Sequence, residues 1–176
     1  MTDNECLKII ENRRTIRKFK NETIGKKETD ILLNAAHMAP SAGNLQARDF
    51  IIITNEDTRK KLIKTLTTKR NITIENVPYL FIVCATPNRA TTRFGERGEF
   101  YAIQDATASV MNVLLAAHSI GLGSCWMGAF KEEEVSKILN IPSSSRPIAM
   151  ITIGYPDESP ETPKRLKDMI VHLEAW

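Results

Sequence analysis

Cysteine is scarce in this sequence. Cys6, Cys84 and Cys125 are widely spaced among 176 residues and form no CxxC pair. That argues against a disulfide framework or a zinc site and for a reducing compartment. Aromatic residues make up 6% of the chain, too few for the stacking platforms that bind single-stranded nucleic acid. No apolar run approaches the length of a bilayer span, and the polar, acidic start Met1-Thr2-Asp3-Asn4-Glu5 is unlike a secretory leader. Neither charge sign dominates: 24 Lys and Arg oppose 21 Asp and Glu, a net charge of +3, mild for a dedicated nucleic-acid binder. A P-loop is absent. Gly121-Leu122-Gly123 offers GxG without a third glycine and follows a helix instead of opening one, which excludes a Rossmann fingerprint. His37, His118 and His172 have no carboxylate or cysteine at metal-ligand spacing and read as surface or helix-face residues. Cys125 lacks an obvious base and reads as a buried thiol.

With 42% hydrophobic and 26% charged residues, residues 1–176 suit one globular domain, expected to be soluble and cytoplasmic. Thr2 or Asp3 is placed to cap a helix running to about Asn12, with Leu7 and Ile10 on its buried side. Lys26 to Met38 has helical periodicity and ends at Pro40, which opens the small-residue loop Pro40-Ser41-Ala42-Gly43-Asn44. Phe50–Thr54, Tyr79–Ala85 and Ile148–Gly154 are apolar runs expected to be strands, the first two buried on both faces. Helices are expected over 57–66, 131–139 and 164–176. Pro87 to Gly98 shows no periodicity and reads as a mobile surface loop. Tyr101 to Ile120 reads as a long helix that is apolar or small nearly all round. A domain this size can hardly bury such a helix alone, which favours a dimer.

One stretch concentrates positive charge: Arg13-Arg14-Thr15-Ile16-Arg17-Lys18-Phe19. Such a cluster suits an anion, above all a phosphate held by guanidinium forks, or it is a solvated basic helix end. The anion could belong to a nucleic acid, a lipid or a small cofactor. Backbone-rich loops and scattered cations, without a catalytic constellation, suit a flavin. Its edges need close backbone approach, its N1/O2 region needs positive charge when reduced, and its phosphate needs Arg or Lys.

In this order, the Arg13–Phe19 stretch, Ala39-Pro40-Ser41-Ala42-Gly43-Asn44-Leu45-Gln46, Gln104-Asp105-Ala106-Thr107-Ala108, Gly121-Leu122-Gly123-Ser124-Cys125-Trp126-Met127-Gly128 and Ile153-Gly154-Tyr155-Pro156 resemble the FMN-dependent nitroreductase family in its short form. The resemblance implies an α+β fold with a mixed sheet flanked by helices. It also implies an interlocked homodimer with a long buried central helix and two FMN sites at the subunit interface. By position, Arg13 would hold the FMN phosphate with Arg14 and Thr15 beside it, and Arg17 would sit near N1/O2. Pro40, Ser41, Ala42 and Asn44 would line the site from the other subunit, and Gln46 would reach the ring or ribityl chain. The Gly128 N–H, preceded by Met127, would donate to flavin N5, and Lys164 or Arg165 would be the late phosphate contact. The tail from about residue 157 to 176 would extend over the partner. Where many relatives carry Gln-Pro-Trp, this chain has Gln46-Ala47-Arg48-Asp49, and Arg48 reads as a surface residue outside the site.

The implied activity is an FMN oxidoreductase that takes hydride from NADH or NADPH and reduces a nitroaromatic, quinone or similar acceptor by ping-pong kinetics, with no metal. Arg89, Arg93, Phe94 and Arg97 are candidates for a lid or a nicotinamide-phosphate contact. A reductive dehalogenase or a narrow-substrate reductase of the same fold is the alternative, and a nucleic-acid-binding module using Arg13–Lys20 is a remote one.

Overall fold

The computed structural model describes residues 4–68, 77–163 and 171–176. In chain order these form α1 (Glu5–Asn12), α2 (Lys26–His37), a 3-10 turn (Ala42–Asn44), β1 (Arg48–Ile53) and α3 (Glu56–Lys64). There follow β2 (Tyr79–Ala85), α4 (Asn88–Phe94), α5 (Arg97–Ser119), β3 (Gly123–Met127), α6 (Glu132–Leu139) and β4 (Arg146–Gly154). The four strands form one sheet in the order β1-β2-β4-β3, every neighbouring pair antiparallel. A parallel element enters at the β3 edge, where Thr15 bridges Ser124. This is an α+β architecture.

The apolar runs of β2 and β4 become the two central strands because both of their faces are covered. All seven residues of β2 are buried, and its side chains alternate between two cores. Phe81 and Val83 pack with Ile151 and Ile153 under α2 and α5. Leu80 and Ile82 pack with Met150, Leu62 of α3 and Val135 of α6, together with Ile16 and Phe19. β1 is an edge strand, only partly buried along its middle. Pro147 falls where the β2–β4 register slips between Val83 and Cys84, a bulge that spares the ladder a missing N–H.

The long helix begins four residues earlier than its apolar pattern, at Arg97. Residues 87–98, expected to be a mobile loop, are instead α4 and the first turn of α5. Ala90 is fully buried, Phe94 meets Tyr101 edge-on at 5.1 Å, and Arg89 pairs with Asp49 at 2.7 Å. Only two apolar residues lie in α4, with Gly95 and Gly98 just after it, which hides this helix from a periodicity argument, and tertiary contacts supply what propensity lacks. Four of the five residues of β3, Ser124–Met127, lie in a stretch without a periodic pattern in the sequence. Leu7 and Ile10, expected on a buried side, are 42% and 52% exposed in the single chain. Residues 171–176 are not helical, and the rest of the expected C-terminal helix lies outside the described residues. Among the described residues, no helix is long and apolar enough to cross a membrane.

Candidate active site

The basic stretch is laid along the open edge of β3. Ile16 N–H donates to Ser124 O at 2.9 Å, and Phe19 bridges Pro156. Lys20 N–H donates to Tyr155 O, and Asp157 N–H to Lys18 O, both at 2.9 Å. The Glu158 carboxylate accepts the Arg17 N–H and, at 3.1 Å, the Lys18 N–H. Segment 155–158 therefore zips the basic stretch to its own chain and fixes the Arg17 backbone from below. Gly123 is needed here: a Cβ would come within 2.8 Å of the Ile16 side chain.

Arg17 faces a cavity of about 290 Å³, lined also by Cys125, Trp126, Met127, Gly128, Leu66 and Thr68. Its floor is the end of β3 and the turn that follows. That turn is pinned to α3 by Thr67 N–H donating to Ala129 O at 2.9 Å and Lys131 N–H donating to Thr65 O at 3.0 Å. Gly128 is exposed, and a Cβ there would meet only Trp126 Nε1 at 4.0 Å, leaving its backbone open to a ligand. A half-buried cation facing an open backbone turn fits one edge of a flavin ring.

Arg14 lies elsewhere. It lines a second cavity of about 260 Å³ with His118, Gly121–Ser124 and Glu158. Its guanidinium donates to Glu11 O at 2.6 Å, to Arg13 O at 3.0 Å and to Thr162 Oγ1. Arg13 is half-buried, and with Arg14 it stands close enough to His118 to lower that imidazole's pKa. Burial is the larger cause of that shift. Lys164 and Arg165 lie outside the described residues.

The loop of Pro40, Ser41, Ala42, Asn44 and Gln46 is not brought to Arg17 within one chain. It leads into β1, at the sheet edge opposite β3, and its Ala42 N–H donates to Asp105 Oδ1 at 2.9 Å. Asp105 belongs to the first half of α5, whereas His118, beside Arg13 and Arg14, is in its last turn. Thirteen helical steps separate the two, roughly 20 Å along the axis. Within one chain the two groups of candidate residues therefore stand apart, at opposite edges of the sheet.

Sequence reasoning missed Arg48. Expected at the surface, it is 4% exposed. It donates to the carbonyls of His37 at 3.0 Å, Ala39 at 2.6 Å and Pro40 at 3.2 Å. Its position at the start of an edge strand, two residues after a turn, gave no sign of burial. The available clue was α2's end, whose carbonyls need donors. Among the described residues no group of three or more His, Cys, Asp or Glu is placed to hold a metal.

A protein of Archaeoglobus fulgidus, named as a candidate NADH dehydrogenase/NAD(P)H nitroreductase, is 32% identical over 179 residues, 98% of this chain and 99% of its own. An iodotyrosine deiodinase of Thermotoga neapolitana is 27% identical over 182 residues, 96% of this chain and 97% of its own. Among solved structures, an FMN-dependent nitroreductase from Clostridium difficile superposes with a TM-score of 0.83 at 25% identity, over 97% of this chain and 99% of that one. Residues 10–68 and 64–155 match the Nitroreductase family, a span that includes both halves of the candidate site, and the chain belongs to that family.

Proposed function

We propose that the chain is an NAD(P)H-dependent FMN oxidoreductase that works as a homodimer, with two FMN sites each built from both subunits. The observation that carries this reading is the separation of the candidate residues: Arg17 and the Met127–Gly128 turn lie along β3 at one edge of the sheet, and the Pro40–Gln46 loop leads into β1 at the other. A second, antiparallel copy would bring one half against the other. Exposed apolar residues favour that copy: Phe100 and Met111 on α5 are 55% and 39% exposed, beside Leu7 and Ile10 on α1. Covering such surface drives stable association.

Bound FMN would supply the redox chemistry, accepting hydride from NADH or NADPH and passing electrons to an acceptor. Arg17 would stabilise negative charge at the N1/O2 edge, through a guanidinium whose backbone is already held by Glu158. The Gly128 N–H would donate at N5. Arg13 would hold the phosphate at the far end, with Thr15 beside it and Lys164 or Arg165 as the late contact; Arg14, tied to Glu11, Arg13 and Thr162, would support Arg13. Pro40, Ser41, Ala42, Asn44 and Gln46 of the second subunit would close the site. No side chain is required as nucleophile. The finer reading is a nitroaromatic or quinone acceptor, with donor and acceptor occupying the same open face in turn. The deiodinase relative keeps a dehalogenase as the second reading.

The test is the visible spectrum of the purified protein, followed by anaerobic NADH and NADPH titration and then addition of a nitroaromatic, a quinone or a halophenol. A flavin spectrum bleached by either nucleotide and restored by an acceptor is expected. A colourless protein that does not bind added FMN would overturn the reading.

A further inference from the structure

The loop proposed to close the flavin site has an unusual backbone. Gly43, Asn44 and Gln46 have φ of 58°, 56° and 51°. Two of these three left-handed residues carry a Cβ, and such a backbone persists only where its surroundings over-determine it. A Cβ at Gly43 would also meet Arg93 Nη1 at 2.8 Å. Four polar contacts hold the loop from within and from α4 and α5. Asp105 Oδ1 accepts the Ala42 N–H at 2.9 Å, and Ser41 Oγ accepts the Gln46 N–H at 3.0 Å. Arg48 N–H and Arg89 Nη1 both donate to Gln46 O, at 2.7 and 3.0 Å.

The Arg48 guanidinium adds what those contacts do not. It spans the junction between α2 and the loop, gripping His37 O and Ala39 O at the helix end and Pro40 O at the loop's first residue. The carbonyl end of a helix favours a cation, and a buried guanidinium is tolerable only when its N–H groups find acceptors. A planar fork can serve three carbonyls held in fixed directions; a lysine ammonium on a flexible stem cannot do so equally well.

We infer that Arg48 is a positioning residue of the flavin site, fixing the angle at which Pro40–Asn44 leaves α2 and hence the shape presented to the FMN of the other subunit. This rests on the proposed function. An arginine needed only for the fold would lower stability without changing FMN binding by the protein that remains folded.

The experiment compares wild type with Arg48→Met, Arg48→Lys and Val135→Ala. Val135 is fully buried in the core on the opposite face of the sheet, so its truncation is a destabilising control remote from the loop. Thermal midpoint, FMN dissociation constant by fluorescence quenching, and visible circular dichroism of bound flavin are measured on each. Arg48→Met is expected to raise the FMN dissociation constant by about tenfold or more and to alter the visible dichroism. Arg48→Lys should recover part of the affinity, and Val135→Ala should lower the midpoint while binding FMN like wild type. Wild-type affinity and dichroism in folded Arg48→Met, or weakened FMN binding in Val135→Ala of the same size, overturns the inference. Should Arg48→Met not fold, Arg48→Lys decides: unchanged FMN affinity overturns it, and a rise of about threefold or more without a matching loss of thermal stability supports it. Failure of the wild type to bind FMN overturns the proposed function first.

Discussion

At the residue scale, the same residue type does three different jobs. Arg17 ends in a cavity, Arg14 is consumed by Glu11, Arg13 and Thr162, and Arg48 is buried under the end of α2. Replacing Arg17 with Met should leave the fold intact and make the reduction potential of bound FMN more negative, by on the order of tens of millivolts. The reduced ring would lose its nearby cation. A redox titration against dyes of known potential checks this. His118 gives a pH prediction. Burial, then Arg13 and Arg14, lower its pKa from the ordinary imidazole value. The unfolded chain therefore binds the proton first as the pH falls. Its contribution to stability is complete above about pH 6.5 and declines as the pH drops through the folded-state value. His118→Gln should flatten the loss of stability that urea titrations at successive pH values detect below that point. Cys84 is 2% exposed, and burial, reinforced by Asp49, pushes its thiol up to about 12. It should remain unalkylated by iodoacetamide at pH 8 in the folded protein and react after unfolding.

At the scale of elements, the elbow between α4 and α5 decides how residues 88–97 sit against the candidate loop. Gly98 allows that elbow: a Cβ there would lie 2.5 Å from Thr91 N and 2.6 Å from Ala90 C, both backbone atoms that cannot swing away. Gly98→Ala should cost about 2–3 kcal/mol, lowering the thermal midpoint by roughly 5–10 °C, measurable by calorimetry. Arg93 and Phe94 would shift with it, since both pack against Gly43. The elements most legible in the sequence were those with a strong pattern. β2 and β4 are continuous apolar runs, and α2 shows a clear face. β3 and α4 were not legible for opposite reasons. β3 is short, with small residues and one exposed Trp126, and becomes a strand because β4 offers it a partner. α4 has only Ala90 and Phe94 as apolar anchors and is held in place by Arg89, whose partners lie some forty residues earlier.

At the scale of the whole molecule, Leu7 and Ile10 on α1 and Phe100 and Met111 on α5 are large apolar residues exposed in the single chain, and the proposed dimer would cover them. Light scattering should give about 40 kDa, twice the 19.8 kDa of one chain. Met111→Glu places a charge on the exposed stripe of α5 and should shift the protein toward monomer. FMN should be lost in the same concentration range, because each half-site would be left open. A monomeric variant that keeps full FMN affinity would sink the shared-site reading.

The sequence by itself determined the family and the α+β composition, because those rest on local motifs and on periodicities of two and 3.6. Arg17 and Gly128 could be named, but not brought together; that needed β3 to lie between the basic stretch and β4. Pro40–Gln46 could be named, but its place beside β1, at the sheet edge opposite β3, is a consequence of packing. Arg48 marks the limit most clearly. An arginine after a turn at the start of an edge strand is ordinarily solvated, and only the three carbonyls gathered around it by α2 and the loop make its burial favourable.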